Sequence, residues 1–226
     1  MLPLTAASLV LLGAALWMLA DPKRNLRARG AARAPAVAVV CVALLTPAAY
    51  LFDWGGADGW LIGRAIPGSG ASPEFAPLNE ALSLLLSALA LLLLDVRGRG
   101  ARVAQYLAIA GLANAALSLL GYVYGASSFY NIISYPGMSL HAALCFVALS
   151  VGLLCARPEG GLMGIALSES AGGFAARRLL LAAVLTPSLL GGLILLGERH
   201  SYYDAASAMS LFAASTIVTF FVIVWR

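Results

Sequence analysis

The residues able to do chemistry in this sequence are few, and they gather at the ends of long apolar stretches. Asn79 and Glu80 open one stretch, His141 opens another and Asn114 lies inside a third; Glu198, Arg199 and His200 follow a fourth, and Asp204 opens the last. Polar groups within apolar helices are costly to bury, so each needs a partner or a function. Asn79, Glu80 and His141, with Asn114, Glu198 and His200, are the candidate lining of a ligand pocket; the competing reading is interhelical hydrogen bonding that locks a bundle. Glu80 near a helix N-terminus would also complement the positive end of the dipole, and Asn79 is a candidate N-cap. His141, His200 and Glu198 are the only conceivable metal set, and without HxxxH or HxH spacing no metal site is expected. The two histidines are too few for a dihaem cytochrome, and no cofactor is expected.

Catalytic signatures are absent: the sequence holds no Walker A motif, no GxSxG and no HExxH. No Asp, Glu, Lys or Arg falls at the middle of an apolar stretch, which argues against an ion-coupled transporter. The last stretch has no lysine for a retinal Schiff base. Cys41, Cys145 and Cys155 fall inside apolar segments without a CxxC pair and read as buried free thiols.

The elements that must position these groups are membrane helices. Hydrophobic residues make up 62% of the 226 residues and charged residues 11%, which excludes an ordinary soluble domain. A hydrocarbon core of ~30 Å takes roughly 20 apolar helical residues to cross. The stretches that qualify are about Leu2–Ala20, Pro35–Phe52, Ala76–Leu94, Val103–Val123, Met138–Cys155, Leu179–Leu196 and Ala205–Trp225. The first lacks a basic leader and is followed by its basic cluster, so it reads as an uncleaved helix. The expected fold is therefore an all-α, polytopic transmembrane bundle of seven spans, one domain over residues 1–226.

Charge sets the expected orientation. Of the 14 basic residues, all but Arg64 and Arg199 fall after the first, third, fifth or seventh stretch. Positive loops stay in the cytoplasm, so the N-terminus is expected outside and the C-terminus inside. The net charge of +4 is then a record of topology, and no nucleic-acid partner is expected. Most of the polar residues named above are placed at the outer end, beside loops rich in aromatic residues. The glycine- and proline-rich loop Asp53–Phe75 carries an apolar patch, Trp60-Leu61-Ile62, that is expected to rest on the membrane surface.

Internal order is visible too. PLNEALSLLL (from Pro77) aligns without a gap on SLHAALCFVA (from Ser139), placing Asn79 on His141. The second and sixth stretches share Leu-Thr-Pro, so Thr46-Pro47 and Thr186-Pro187 are expected to mark kinks. Small residues four apart, Gly111 and Ala115 or Ala206, Ser210 and Ala214, would let helices approach closely.

Four segments carry a family resemblance: APLNEALSLLLSALALLLLD from Ala76, PGMSLHAALCFVALSVGLLCARPEGGLM from Pro136, AGGFAARRLL from Ala171 and LLGERHSYYD from Leu195. From about residue 76 onward the chain resembles the multi-helix membrane sensor module found N-terminal to bacterial, PAS-containing histidine kinases. It departs from the usual Pro-Asn-Thr-Ala-Leu, since Leu78 precedes the Asn and Glu80 replaces the Thr. The resemblance implies a sensory input domain in the bacterial inner membrane, working in two-component signal transduction. It would relay an unknown small-molecule or membrane-borne stimulus through the last helix to a cytoplasmic output domain. The chain itself has no phosphoacceptor helix and no ATP lid, so it is not expected to be an enzyme, and a homodimer is expected through the parent protein. The other readings are a carrier or channel for a small neutral molecule, or a structural subunit of a larger membrane complex.

Overall fold

The structure, a computed structural model, describes residues 3–20, 26–52, 77–96, 99–125, 138–157, 163–164, 167–200 and 204–225. Leucine, alanine and other unhindered residues dominate these segments and favour helix throughout. Seven long helices result: α1 Pro3–Ala20, α2 Leu26–Phe52, α3 Leu78–Leu93, α4 Arg99–Tyr124, α5 Leu140–Cys155, α6 Ala171–Arg199 and α7 Ala205–Trp225. Among the described residues there is no strand. The loop Asp53–Phe75 and its Trp60-Leu61-Ile62 patch lie outside the described residues.

Four helices are long and apolar enough to cross a membrane, through Pro3–Ala20, Arg29–Ala48, Gly100–Tyr124 and Gly172–Gly197. Apolar segments of α3, α5 and α7 are shorter. At 1.5 Å per residue, the 16 residues of α3 or α5 reach only about 24 Å. Three helices start earlier than hydropathy alone predicts: α2 at Leu26 rather than Pro35, α4 at Arg99 rather than Val103, and α6 at Ala171 rather than Leu179. The reason is physical. Arginine and alanine are good helix formers, so a charged segment ends the apolar run without ending the helix. Ser170 fixes the α6 start, its Oγ accepting from Gly173 N at 3.2 Å.

Two compact units are present: Met1–Tyr122 with Ala126–Met163, and Val123–Gly125 with Gly164–Arg226. In the first, α3 packs on α1, α2 and α5, and α1 also packs on α2 and α5. Buried positions on α2 (Ala32, Ala36, Val39, Ala43, Thr46) and on α4 (Ala104, Ala108, Gly111, Ala115, Ser118) alternate at four- and three-residue spacing. Small side chains thus face inward, while Val10, Trp17, Leu44, Leu82, Leu117 and Leu144 are exposed. Water would penalise that arrangement, whereas lipid accepts it, and close helix approach then supplies the packing energy. The same inversion corrects the reading of the cysteines: Cys41, Cys145 and Cys155 are exposed free thiols on the outer faces, not buried ones.

One end of this unit is pinned by Asp95, just beyond α3. Its Oδ1 accepts from Arg29 of α2 and, at 3.0 Å, from Arg157 beyond α5; Arg33 stands 3.6 Å from Oδ2. Arg157 also donates to Leu19 O of α1 at 3.0 Å. The ends of α1, α3 and α5 therefore meet the start of α2 at one place.

Both proline sites lie within unbroken helices. Thr46 Oγ1 donates to Val42 O at 3.3 Å, its own i−4 carbonyl and not the Ala43 carbonyl that Pro47 frees. Around Pro187 the equivalent bond is made by Ser188, whose Oγ donates to Val184 O at 2.7 Å, and not by Thr186. At the end of α4, Gly125 takes φ 67°, the left-handed conformation that stops a helix with little steric penalty for glycine.

Asp95→Asn removes the charge that three guanidinium groups share, and should lower the stability of the first unit by on the order of 1–3 kcal/mol. Denaturant titration of the detergent-solubilised protein, followed by tryptophan fluorescence, reads that loss.

Candidate functional site

The polar residues of the first unit assemble into a seam at the end opposite Asp95. Glu80 is only 1% exposed. Its carboxylate accepts from Thr5 Oγ1 of α1 at 2.9 Å and from the backbone N of Ser139 at 3.3 Å. Ser139 is the N-cap of α5, its Oγ accepting from Ala142 N. One acidic side chain thus joins the starts of α1, α3 and α5, with the N-terminal dipoles of α3 and α5 favouring negative charge there. Asn79 is not the N-cap of α3; Pro77 holds that position, and Asn79 turns inward instead.

Asn79 and Asn114 zip α3 to α4. Asn79 Nδ2 donates to Ser118 Oγ at 2.8 Å, and Asn114 Nδ2 donates to Ser83 Oγ at 2.7 Å and to Asn79 O at 3.1 Å. Four residues forward on α3 match four residues back on α4, so the two run antiparallel. The seam continues to Ser87 and Ser150, both buried, beside Gly111. A Cβ built on Gly111 would lie 3.4 Å from Ser150 Oγ and 3.8 Å from Ser87 Oγ. Asn79 Oδ1, Ser87 Oγ and Ser150 Oγ have no hydrogen-bond partner. Such orphaned atoms are uncommon in a buried seam.

The structure thus brings Asn79, Glu80 and Asn114 together and leaves His141 apart from them, exposed on α5. Ser139, two residues earlier, makes the contact with Glu80 that His141 does not. Gap-free alignment of α3 on α5 is right for the shared inner face, where Glu80, Leu84, Ala88 and Leu91 pair with buried Ala142, Phe146, Ser150 and Leu153. It fails at Asn79 and His141, since Asn79 turns into the contact with α4 whereas His141 stays exposed. Thr5, Ser83, Ser118 and Ser139 were missed in the sequence; the first three lie three or four residues from another polar residue (Ser8, Asn79, Asn114), and Ser139 stands at an N-cap position before an apolar run.

The second unit holds the remaining candidates. The side chain of Glu198 lies outside the described residues, and His200 is exposed just past α6. Ala206, Ser210 and Ala214, the small-residue face of α7, are exposed rather than packed. Tyr124 OH donates to Ser188 O at 2.6 Å, and a Cβ on Gly191 would come within 2.9 Å of that hydroxyl. Asp204 caps α7, with Oδ1 accepting from Ser207 N at 3.3 Å. Hydrogen bonds from the Ser207 side chain and then its backbone hold the Asp204 carboxyl below its ordinary range. Among the described residues, no three His, Cys, Asp or Glu side chains are grouped to hold a metal.

Two outcomes are expected. A double-mutant cycle on Ser83→Ala and Asn114→Ala should give a coupling of about 0.6 kcal/mol, typical of membrane interhelical bonds, while His141→Ala stays within about 0.5 kcal/mol of the parent. For Asp204, a depressed folded-state value means the cap is intact at and above the ordinary carboxylate range and is lost as pH falls through the lowered value. The protection factor of the Ser207 amide should fall in acid accordingly, and Asp204→Asn should abolish that pH dependence.

No protein-family model, curated protein or solved structure matches this chain.

Proposed function

We propose that this chain is the membrane-embedded sensory input domain of a bacterial signal-transduction protein of the histidine-kinase type. It crosses the inner membrane seven times, with the N-terminus outside and the C-terminus in the cytoplasm, and the last helix hands the signal to an output domain. The observation that carries the reading is buried Glu80, bonded to α1 and to the start of α5. An ionisable residue inside a membrane bundle is a functional site by default. This one links three helices, so a stimulus that competes for its bonds changes how they are held. Ligand binding can drive such a change only through unequal affinity for the two arrangements. The seam from Asn79 to Ser150, with its orphaned acceptors, supplies alternative bonding within the same unit.

The orientation is supported by charge and by the direction of the helices. Thr5, Glu80 and Ser139 stand at the starts of α1, α3 and α5, whereas Arg29, Arg33 and Arg157 meet Asp95 at the other end. The positive end is the cytoplasmic one.

The test fuses the chain to a cytoplasmic kinase reporter. Glu80→Gln keeps the shape and removes the charge; it should shift basal output several-fold while membrane insertion is unchanged. Output identical to the parent, or solute uptake by vesicles carrying the chain alone, would overturn the sensor reading. A phosphatase reporter behind Arg226 should be inactive and a fluorescent-protein fusion bright.

A further inference from the structure

The Asp95 cluster carries more positive charge than it neutralises. Three guanidinium groups, those of Arg29, Arg33 and Arg157, lie within 4 Å of a single carboxylate that is 7% exposed. Arg157 is well occupied, bonding Asp95, Leu19 O and Ala156 O. The other two arginines are not equally served. Arg29 Nε is buried without a hydrogen-bond partner, and Arg33 is 46% exposed and 3.6 Å from Asp95, beyond hydrogen-bond range. One carboxylate against three cations leaves a surplus of two positive charges in a partly desolvated place, where repulsion among them is weakly screened. A bound anion would relieve it.

We propose that Arg29 and Arg33 form a binding site for a phosphate oxyanion, with Asp95 and Arg157 holding them in position. Arginine is suited to this because its planar fork donates two parallel hydrogen bonds to a phosphate group. The exposed side of Arg33 is the entry, and Asp95 keeps the arginines from dispersing when the site is empty. The cluster sits where the ends of α1, α3 and α5 meet the start of α2, and in the proposed orientation that end faces the cytoplasmic headgroups. Basic pockets between membrane helices on the cytoplasmic side bind anionic headgroups. A lipid phosphodiester and free phosphate share the chemistry the site recognises, and the lipid is already concentrated there. The site lies apart from the Glu80 seam; its cytoplasmic placement rests on the proposed orientation, whereas anion binding itself does not.

The test uses the full chain in a neutral detergent, with the thermal unfolding midpoint as readout. Phosphatidylglycerol, phosphatidylcholine and inorganic phosphate are titrated separately. A midpoint raised by phosphatidylglycerol but not by phosphatidylcholine supports the site with lipid as its source; a comparable rise with inorganic phosphate supports it with the free anion. Arg33→Gln, on a half-exposed side chain, should weaken the effect about tenfold, as loss of a charge-assisted bond implies. Arg102→Gln, an exposed arginine on α4, should leave it unchanged. The proposal is overturned if neither anion raises the midpoint, if phosphatidylcholine acts equally, or if Arg33→Gln and Arg102→Gln have the same effect.

Discussion

A buried carboxyl group must find its hydrogen-bond partners within the protein, and one stands at the start of α3 and another just beyond its end. Glu80 and Asp95 are separated by fifteen residues, about 22 Å along a helix. Each must recruit its donors from neighbouring helices, because α3 itself offers too few. Glu80 takes a hydroxyl from α1 and an amide at the start of α5; Asp95 takes guanidinium groups from α2 and from beyond α5. The two sets act as pins through opposite ends of one assembly. They fix which helix neighbours which, and the direction in which each runs. The remaining apolar contacts fit within that frame.

Between the pins the interior mixes small and polar residues with large apolar ones. Serine, asparagine and alanine are buried beside Leu12, Leu84, Leu91 and Phe146, while other leucines and valines face out. Hydrocarbon gives leucine no reason to hide, so contact density and hydrogen bonds decide what packs inside. Interhelical bonds in such interiors are individually weak, and three polar atoms along the α3–α4–α5 seam lack a partner altogether. A seam built this way holds the helices together while leaving some of its bonding capacity unused. That property is what a bundle needs if it is to rest in two arrangements.

The second unit is built differently. Burial along the α6 span is confined to Gly173 at its start, and on α7 only Ala208 is buried, among the residues whose exposure is described. Its named contacts are Tyr124 against Ser188, the close approach at Gly191 and the Asp204 cap. α6 and α7 pack on each other, with most of their apolar residues facing outward. The difference between the units is thus one of polar anchoring rather than of helix content.

Hydropathy and composition were enough to find seven helices and their membrane character, because apolar run length is a property of the chain alone. Helix ends were less legible: α2 and α6 extend through arginine-rich segments, since hydropathy registers charge and helix propensity does not. Glu80, Asn79 and Asn114 stood out as costly polar residues and do meet. The choice of partners was not legible, because Thr5, Ser83, Ser118 and Ser139 are ordinary in isolation and gain meaning only from helices distant in sequence. His141 shows the limit most clearly. It shares a register with Asn79, yet one is exposed and the other buried, because register along a helix does not say which face a neighbour will cover. By itself, then, the sequence determined helices, charge asymmetry and which side chains would be expensive to bury. Which face of each helix turns inward, and what receives each polar group, was decided by the neighbours each helix acquires, since burial in a bundle depends on what lies alongside.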